Sequence, residues 1–360
     1  MLIGFLAWLS LASSVPPGVV IDHEPPPGGR YIGSPSIVIL PKGDYLASHD
    51  FFGPGSTQST SGLTRIFRST DRGRTWRQLG EVSGQFWSNL FAHGGAVYLM
   101  GTTCEYGRVA IRRSTDGGNT WSPPAFLTAE PNYHTAPTPV VEKDGRLWRA
   151  MEYHPPGPWG FFEALVLSAP VKSDLLDPKH WTISARLPYP ANAGQGRHWL
   201  EGNAVIGPDG SLLDILRVDN IEKAALVRVR NGTPEFQGLT EFPGGSKKFT
   251  IRYDGESRRY WTLSNPALKE YSLTASDPAS VRNTLALMSS EDLRSWRLER
   301  IILSDPDPVH HGFHYVDWQF DGADIVAVSR TAFDDDWGGP PRAHDANYFT
   351  FHRIAGFRPQ

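Results

Sequence analysis

The sequence predicts an all-β fold, a single β-propeller of six four-stranded antiparallel blades. Composition is the first observation, because 36 Gly, 30 Pro and 12 Trp in 360 residues are typical of a turn-rich chain packed with aromatic rings. The second is a recurring unit of two strands joined by a Gly- or Asp-containing turn. The third is a turn motif that occurs twice, about 45 residues apart, which is the spacing of propeller repeats.

The recurring strand pairs define the predicted blades in order along the chain. The leading pairs occupy residues 34–52, 87–105, 135–153, 201–219, 248–265 and 315–332. A further strand pair follows each of them except the last, where only "DANYFTFHRI" (345–354) remains. We therefore expect "GVVIDHEP" (18–25) to supply the missing strand and close the ring. A seventh, weakly marked blade is the alternative count.

The repeated turn motif places the same residue types at the same offsets. "RSTDRGRTW" (68–76) and "RSTDGGNTW" (113–121) both hold a Ser, an Asp, a Gly, a Thr and a Trp. The Asp can accept backbone hydrogen bonds and the Gly can adopt a positive φ. A third copy, "MSSEDLRSW", keeps Ser289, Glu291, Ser295 and Trp296. These residues stabilise turns, and we expect Asp71 and Asp116 to lie on the face opposite the functional site.

Charge and the amino terminus limit the partners and the location. A net charge of −3 without a basic run gives no reason to bind nucleic acid or a membrane, and we expect a monomer. "MLIGFLAWLSLASS" (1–14) predicts a signal peptide, which leaves residues 15–360 as a secreted or periplasmic propeller. That segment lacks the usual early Lys or Arg, so an apolar N-terminal strand is the alternative.

Polar and aromatic residues are predicted to collect at one end of the propeller axis. The first strand of each blade begins at this face and the second strand ends there, so their side chains should line a funnel for a glycan. For any single His or Glu among them, a solvated rim position is the simpler interpretation. The catalytic candidates are His49 and His134. The substrate-binding candidates are Arg217, Arg330, Lys248, Glu152, Tyr153, His198, Glu201, Asn203, His314 and Tyr315.

No motif requires a cofactor or a metal ion. "HHGFH" (310–314) lacks the carboxylate spacing of a zinc site. "DDD" (334–336) offers hard oxygen ligands that could hold calcium, although a solvated acidic loop is the simpler interpretation.

The repeated turns resemble the Asp-box hairpins of sialidase-like β-propellers. "YIGSPSIVILPKGDYLASHDFFGP" (31–54), "HYVDWQFDGADIVAVSRTAFDD" (314–335) and "AHDANYFTFHRI" (343–354) further resemble a group of L-rhamnose-α-1,4-D-glucuronate lyases and their α-L-rhamnosidase relatives. This resemblance implies a polysaccharide lyase acting on arabinogalactan-type glycans. It also implies seven blades and a catalytic role for His49.

The chemistry of such a lyase suits the predicted funnel. β-Elimination requires neutralisation of the uronate carboxylate, removal of a proton and departure of the glycosidic oxygen. Arg217, Arg330 or Lys248 would neutralise the carboxylate. His49 or His134 would move the protons, because histidine titrates near neutral pH.

Two other classes of function stay open. A glycoside hydrolase, either an α-L-rhamnosidase or an exo-α-sialidase, could use paired carboxylates such as Glu152 and Glu201. The sialidases use an arginine triad and a Tyr–Glu nucleophile pair after a "FRIP"-like strand, whereas this chain has "YIGSPS" at that place. That departure argues against sialidase activity. A non-catalytic glycan-binding propeller would keep the aromatic residues without needing His49.

Overall fold

The chain forms a six-bladed β-propeller, which confirms the predicted fold and the predicted blade count. The structure, a computed structural model, describes residues 15–272 and 277–358, so the predicted signal peptide over 1–14 lies outside the described residues. Each blade is an antiparallel sheet of four strands, except that two of the strand positions in the third blade are each divided into two short segments. The seven blades implied by the lyase resemblance are therefore wrong for this chain.

The first strand, β1 (Val19–His23), belongs to the last blade, and the strands that follow build blades 1 to 3 in order. Blade 1 contains β2 (Tyr31–Ile39), β3 (Tyr45–Phe52), β4 (Leu63–Ser69) and β5 (Arg77–Ser83). Blade 2 contains β6 (Phe86–His93), β7 (Ala96–Thr102), β8 (Val109–Ser114) and β9 (Ala125–Phe126). Blade 3 contains β10 (Tyr133–His134), β11 (Val140–Lys143), β12 (Arg146–Tyr153), β13 (Glu163–Pro170), β14 (Thr182–Ile183) and β15 (Leu187–Pro188).

Blades 4 to 6 complete the ring. Blade 4 contains β16 (Trp199–Ile206), β17 (Leu212–Val218), β18 (Lys223–Arg230) and β19 (Thr233–Glu241). Blade 5 contains β20 (Thr250–Asp254), β21 (Arg259–Ser264), β22 (Thr284–Ser290) and β23 (Arg297–Ser304). Blade 6 contains β24 (Gly312–Asp321), β25 (Asp324–Ala332), β26 (Tyr348–Ile354) and β1. The described helical segments are α1 (Lys269–Ser272) and three 3₁₀ turns, Pro26–Gly28, Pro178–His180 and Pro278–Ser280.

The ring closes as the sequence predicts, because β1 pairs antiparallel with β26. This pairing gives the outer edge of blade 6 a strand from the other end of the chain. Asp22 of β1 then ties the closure to blade 1, since its carboxylate accepts a hydrogen bond from Arg65 at 2.7 Å and from the His49 ring at 2.8 Å. Apolar side chains fill the seam between these two blades, with Phe67 of blade 1 against Phe349 of blade 6.

The innermost strands of four blades carry a β-bulge near their first residues. The register shifts lie between Gly33 and Ser36, Phe86 and Asn89, Leu200 and Asn203, and His314 and Asp317. Each bulge holds one non-glycine residue at a positive φ: Ser34 (46°), Trp87 (50°), Glu201 (59°) and Tyr315 (56°). A bulge redirects a side chain out of the normal alternation of a strand. These four residues therefore occupy equivalent, unusually directed positions around the axis.

The Ser-Asp turns lie at the opposite end of the propeller from the cavity described below, as expected. The Asp71 carboxylate accepts the Thr75 backbone N–H at 2.9 Å, and Asp116 accepts that of Thr120 at 3.0 Å. Ser69, which leads into the first turn, pairs with the start of β3, whereas the cavity contains Phe52 at the end of β3.

The third turn uses residues one position later than the predicted alignment. Asp292 accepts the Ser295 backbone N–H at 2.7 Å, and Leu293 adopts a φ of 63°. The predicted Ser289 instead donates its hydroxyl to Glu299 at 2.5 Å. The alignment on Ser289 and Glu291 is therefore wrong, because this turn is one residue shorter than the other two.

Within the described residues, no helix is long and apolar enough to cross a membrane.

Candidate active site

A cavity of about 780 Å³ opens at the end of the axis where the inner strands begin. Its wall combines inner-strand beginnings, such as Tyr31 and Trp87, with second-strand ends, such as Arg217 and Arg330. This arrangement confirms the geometric expectation for the funnel. The lining residues that carry charge or can donate a hydrogen bond are Tyr31, Gln58, Trp87, Glu105, Tyr106, His134, Trp159, Arg197, Glu201, Arg217, Asp219, Asp277, Ser280, Arg282, Tyr315, Arg330, Arg342 and His344.

A tyrosine–glutamate pair lies in this cavity. The Tyr315 hydroxyl donates to Glu201 Oε1 at 2.7 Å. Arg217 Nη1 donates to the other oxygen, Glu201 Oε2, at 2.8 Å and also to the Tyr315 oxygen at 3.1 Å. Glu201 and Tyr315 both occupy bulge positions, so the unusual backbone of β16 and β24 brings them together across the axis.

Two further arginines surround Tyr315. The guanidinium carbon of Arg330 lies 4.7 Å from the centre of the Tyr315 ring, and that of Arg282 lies 5.7 Å from it. Arg282 donates to His314 Nδ1 at 3.1 Å, and Arg330 donates to the His344 carbonyl oxygen at 2.6 Å. The Nε–H of each guanidinium has no acceptor among the described residues. Three buried cations thus converge on one phenol.

The electrostatics of this cluster favour an anion. Burial, together with the like charges of Arg217 and Arg330, lowers the pKa of Arg282 to about 10, although the fields of Tyr315 and Glu201 act in the opposite direction. Burial also lowers the pKa of Arg330. Glu201 lies 2.8 Å and Asp219 lies 3.7 Å from Arg217, whereas no described carboxylate forms an ion pair with Arg282 or Arg330. A carboxylate ligand would therefore relieve repulsion among the arginines while accepting their hydrogen bonds.

Tyr315 and Glu201 are prepared for transfer of the phenolic proton. Burial and the negative charge of Glu201 raise the pKa of Tyr315, so the phenol carries its proton at neutral pH. Burial raises the pKa of Glu201, but the Arg217 guanidinium and the other charges and hydrogen bonds outweigh burial and hold it below its ordinary value. The pair therefore consists of a neutral hydroxyl donating to an ionised carboxylate, which is the arrangement of a nucleophile and its base.

His134 forms a second polar pair at the cavity wall. Its Nδ1 lies 2.8 Å from Glu152 Oε2, and Glu152 Oε1 accepts the Gly202 backbone N–H at 2.8 Å. The ring meets Trp87 edge-on at 4.4 Å between ring centres. Because Glu152 is fully buried behind His134, the carboxylate orients the imidazole rather than facing a ligand.

The structure brings most of the predicted site residues to one place. His134, Glu201, Arg217, Arg330 and Tyr315 line the cavity. Glu152, His198 and His314 stand behind lining residues, with Glu152 on His134, His198 Nε2 at 3.3 Å from Asp219 and His314 on Arg282.

His49 is not at the cavity, so the structure does not support the predicted catalytic position. Its ring is 0% exposed and packs against Phe51, Phe67 and Phe349 at the seam between blades 1 and 6. Its Nδ1 faces the Asp50 carbonyl oxygen at 3.0 Å, and its Nε2 faces Asp22. The alternation of β3 turns this side chain into the blade interface, where it supports ring closure.

Three substrate-binding candidates also point elsewhere. Lys248 is buried below the cavity, where Nζ donates to Thr250 Oγ1 and to the Val316 carbonyl oxygen, both at 2.7 Å, and burial lowers its pKa to about 7. The Asn203 side chain is hydrogen-bonded to the backbone, since its Oδ1 accepts the Ile251 N–H at 3.0 Å. Tyr153 lies under Arg186, with the guanidinium carbon 3.4 Å from the ring centre.

Sequence reasoning missed several lining residues, and Arg282 is the most important of them. It precedes β22, the third strand of blade 5, and third strands begin at the same face where second strands end. The predicted funnel drew only on the first two strands of each blade, so this position lay outside it. Trp159 and Arg197 were missed because they belong to long loops beside blades 3 and 4.

The acidic segment 334–336 forms a turn. Asp335 Oδ1 accepts the backbone N–H groups of Trp337 and Gly339 at 2.9 and 3.0 Å, and its Oδ2 contacts Asn347 and His23. Within residues 15–272 and 277–358, no group of three or more His, Cys, Asp or Glu side chains could hold a metal ion. Calcium at this segment stays an untested alternative to the acidic loop, and both carboxylate oxygens of Asp335 contact protein groups.

No protein-family model and no curated protein sequence matches the chain. Solved structures do match its fold. The Hadza microbial sialidase Hz136 superposes with a TM-score of 0.65 at 14% identity, over 94% of this chain and 68% of that one. The Trypanosoma rangeli sialidase gives 0.62 at 13% identity, over 91% of this chain but only 55% of the sialidase. A Penicillium chrysogenum α-L-arabinanase complexed with arabinobiose gives 0.58 at 15% identity, over 96% and 99%.

These similarities show that the chain shares a β-propeller fold with two sialidases and an arabinanase. At such low identity they show the fold alone. They give no specific support to the rhamnose–glucuronate lyase group.

Proposed function

We propose that this protein is a retaining glycoside hydrolase that removes a terminal sugar acid of the sialic acid class from a glycan. The observation that carries this proposal is the Tyr315–Glu201 hydrogen bond of 2.7 Å inside a cluster of three buried arginines. The proposal replaces elimination as the preferred reaction, and the structural neighbours named as sialidases and as an arabinanase are consistent with hydrolysis.

The arginines suit a sugar whose carboxylate sits beside the reacting carbon. Arg217, Arg282 and Arg330 would hold that carboxylate through charge-assisted hydrogen bonds and fix the sugar over Tyr315. A neutral sugar such as rhamnose offers no anion to three cations. The cluster therefore favours an acidic sugar over the α-L-rhamnosidase alternative.

A tyrosine nucleophile is physically suited to an anionic substrate. A carboxylate nucleophile would approach the substrate carboxylate as a like charge, whereas the Tyr315 hydroxyl approaches as a neutral group. As the hydroxyl oxygen bonds to the anomeric carbon, its proton passes to Glu201. Arg217 contacts both groups and stabilises the charge as it moves between them.

This chain has "YIGSPS" where the sialidases have a "FRIP"-like strand, yet its site still contains three arginines. Gly33 leaves no room for a side chain, because a Cβ there would lie 1.8 Å from the Phe52 ring. The Phe52 ring instead lies 5.5 Å from the guanidinium carbon of Arg330, which comes from the end of β25. Blade 6 thus supplies the arginine that the first strand of blade 1 lacks. This arrangement weakens the sequence argument against sialidase activity.

Elimination retains less support from the site. Of its two predicted proton-transfer residues, His49 lies at a blade seam and only His134 reaches the cavity. The cationic cluster would suit a uronate carboxylate as well, so the two reactions must be separated by their products. Secretion through the segment 1–14 stays part of the proposal.

A substrate panel tests the proposed function. The protein is incubated with 4-methylumbelliferyl α-ketosides of sialic acid and of its deaminated analogue, with the corresponding α-L-rhamnoside, and with an arabinogalactan that ends in rhamnosyl-glucuronate. We expect fluorescence from the sugar-acid substrates and none from the rhamnoside. Release of rhamnose together with the ultraviolet band of an unsaturated uronate would establish elimination and overturn the proposal.

A further inference from the structure

Within the described residues, four carboxylates line the cavity, and three of them are held by arginine. Arg217 contacts Glu201 at 2.8 Å. Arg197 contacts Asp219 at 2.9 Å and Asp277 at 3.3 Å. The pKa values of Glu201 and Asp219 are held below their ordinary values, in both cases with arginine charge among the causes that outweigh burial, so these two groups are poor proton donors. Asp277 is paired with Arg197.

The fourth carboxylate, Glu105, has neutral partners. Its Oε2 accepts the Gln58 side-chain N–H at 3.1 Å and the Ser59 hydroxyl at 3.4 Å. Gln58 is itself fixed, because its Oε1 accepts the Gly53 backbone N–H at 2.8 Å and so directs the amide nitrogen to Glu105. The Glu105 backbone N–H donates to the Gln58 carbonyl oxygen at 2.7 Å. No ion pair to Glu105 is present in the part of the chain that the structure describes.

Glu105 lines the cavity from a different blade than the proposed nucleophile. It follows β7 in blade 2, whereas Tyr315 belongs to β24 in blade 6, and blade 1 lies between these blades. Both residues line the same cavity. The field of Glu105 reaches the cavity wall, since burial and then the charge of Glu105 raise the pKa of the Tyr106 hydroxyl.

A hydrolase with a covalent intermediate needs a second group that is an acid in the first step and a base in the next. We propose that Glu105 is this catalytic acid and base, held in place by Gln58; this inference rests on the proposed hydrolysis.

The proposed reaction balances over two steps. In the first, the Tyr315 oxygen bonds to the anomeric carbon and its proton goes to Glu201, while the glycosidic bond breaks and Glu105 gives its proton to the departing oxygen. In the second, Glu105 takes a proton from water, whose oxygen bonds to the anomeric carbon. The bond to Tyr315 then breaks, and Glu201 returns the proton to the phenol. One water molecule is consumed, and the enzyme is restored.

His134 is the rival for this role, because its ring also lines the cavity. Its charge acts on Glu201, where it is one of the causes that lower the pKa of that carboxyl, so it stands on the side of the nucleophile's base. Glu152 occupies its Nδ1. The experiment below includes His134→Gln so that the two candidates are distinguished.

The test varies the leaving group. Wild-type turnover of the 4-methylumbelliferyl sialoside is measured first, because failure there rejects the proposed function rather than the role of Glu105. Glu105→Gln is then compared on this aryl substrate, whose leaving group needs little protonation, and on sialyllactose, whose leaving group needs an acid. We expect a loss of ~10²–10⁴-fold in kcat/KM on sialyllactose and a much smaller loss on the aryl substrate. Azide should restore turnover of the aryl substrate by Glu105→Gln and yield the glycosyl azide.

Asp277→Asn is the matched control, since it removes another carboxylate of the same cavity that is paired with Arg197. It should change both substrates by the same factor. Equal losses on both substrates in Glu105→Gln, or a dependence on the leaving group that appears in His134→Gln alone, would overturn the assignment. If Glu105→Gln does not fold, Gln58→Met, which removes the N–H that holds Glu105 in place, should impair sialyllactose turnover selectively. Equal effects of Gln58→Met on both substrates would also overturn it.

Discussion

Replacing Tyr315 with Phe removes one oxygen atom from the centre of the proposed site. The Tyr315 hydroxyl donates to Glu201 at 2.7 Å and accepts from Arg217 at 3.1 Å. The Phe ring keeps its place 4.7 Å from the Arg330 guanidinium carbon, so the walls of the cavity should persist. The variant therefore separates the chemistry of the hydroxyl from the shape of the site.

The expected losses differ in size. One oxygen of the buried Glu201 loses its hydrogen-bond donor, which costs about 1–3 kcal/mol of folding free energy. Turnover loses its nucleophile, and we expect kcat to fall at least ~10³-fold, or about 4 kcal/mol at ~1.36 kcal/mol per tenfold. Binding of a sugar acid should change little, because all three arginines remain.

The assay measures kcat on the aryl sialoside, the dissociation constant of free sialic acid by calorimetry, and the melting temperature. Tyr45→Phe is the matched control, because the Tyr45 hydroxyl also donates to a carboxylate, Asp321 at 2.6 Å, and lies at the end of the propeller away from the cavity. It should lower stability by a similar amount and leave kcat unchanged. Wild-type kcat in a folded Tyr315→Phe protein would refute the reasoning.

Three further predictions concern the ring closure and the cationic cluster. His49→Gln should lower the melting temperature and keep turnover, because the ring fills a blade seam and contacts Asp22; loss of kcat without loss of stability would return His49 to the mechanism. Burial raises the pKa of Asp22, but His49 and the nearby Arg65 outweigh burial and lower it from 3.8 to about 2, so the carboxylate contributes stability above its unfolded pKa. That contribution, roughly 2 kcal/mol, should be lost as the pH falls from about 4 through about 2, and urea unfolding of wild type and Asp22→Asn should converge over this range. Arg282→Met should weaken sugar-acid binding yet maintain or raise the melting temperature, because it removes a buried cation whose pKa is lowered to about 10; a large loss of stability would contradict the repulsion among the arginines.

The blades could be predicted because the strands and turns of each blade follow one another in a short stretch of sequence. Turn residues such as Asp71 and Asp116 fix hairpins through short-range hydrogen bonds, and strand pairs repeat between them. Ring closure could also be predicted, since one blade lacked a strand and the amino-terminal segment offered one. These features depend on contacts between residues that are close in the sequence or on a simple count of strands.

The details of the site depend on backbone bulges and on packing between blades, which the pattern of residue types along the sequence does not indicate. Bulges hold Trp87, Glu201 and Tyr315 at positive φ, although these residue types give no local signal for such a backbone. The facing of His49 depends on how blade 6 packs against blade 1. Arg282 comes from just before the third strand of blade 5, whereas the predicted funnel drew only on first and second strands.

The central claim is that Tyr315 forms a covalent bond to the sugar during turnover. The most direct measurement is mass spectrometry of the protein after incubation with a fluorinated sialosyl fluoride, which slows the second step and allows the intermediate to accumulate. The account predicts one added sugar mass on the peptide that contains Tyr315, and none in Tyr315→Phe. A label on any other residue, or an enzyme that hydrolyses the aryl sialoside and never becomes labelled, would contradict it.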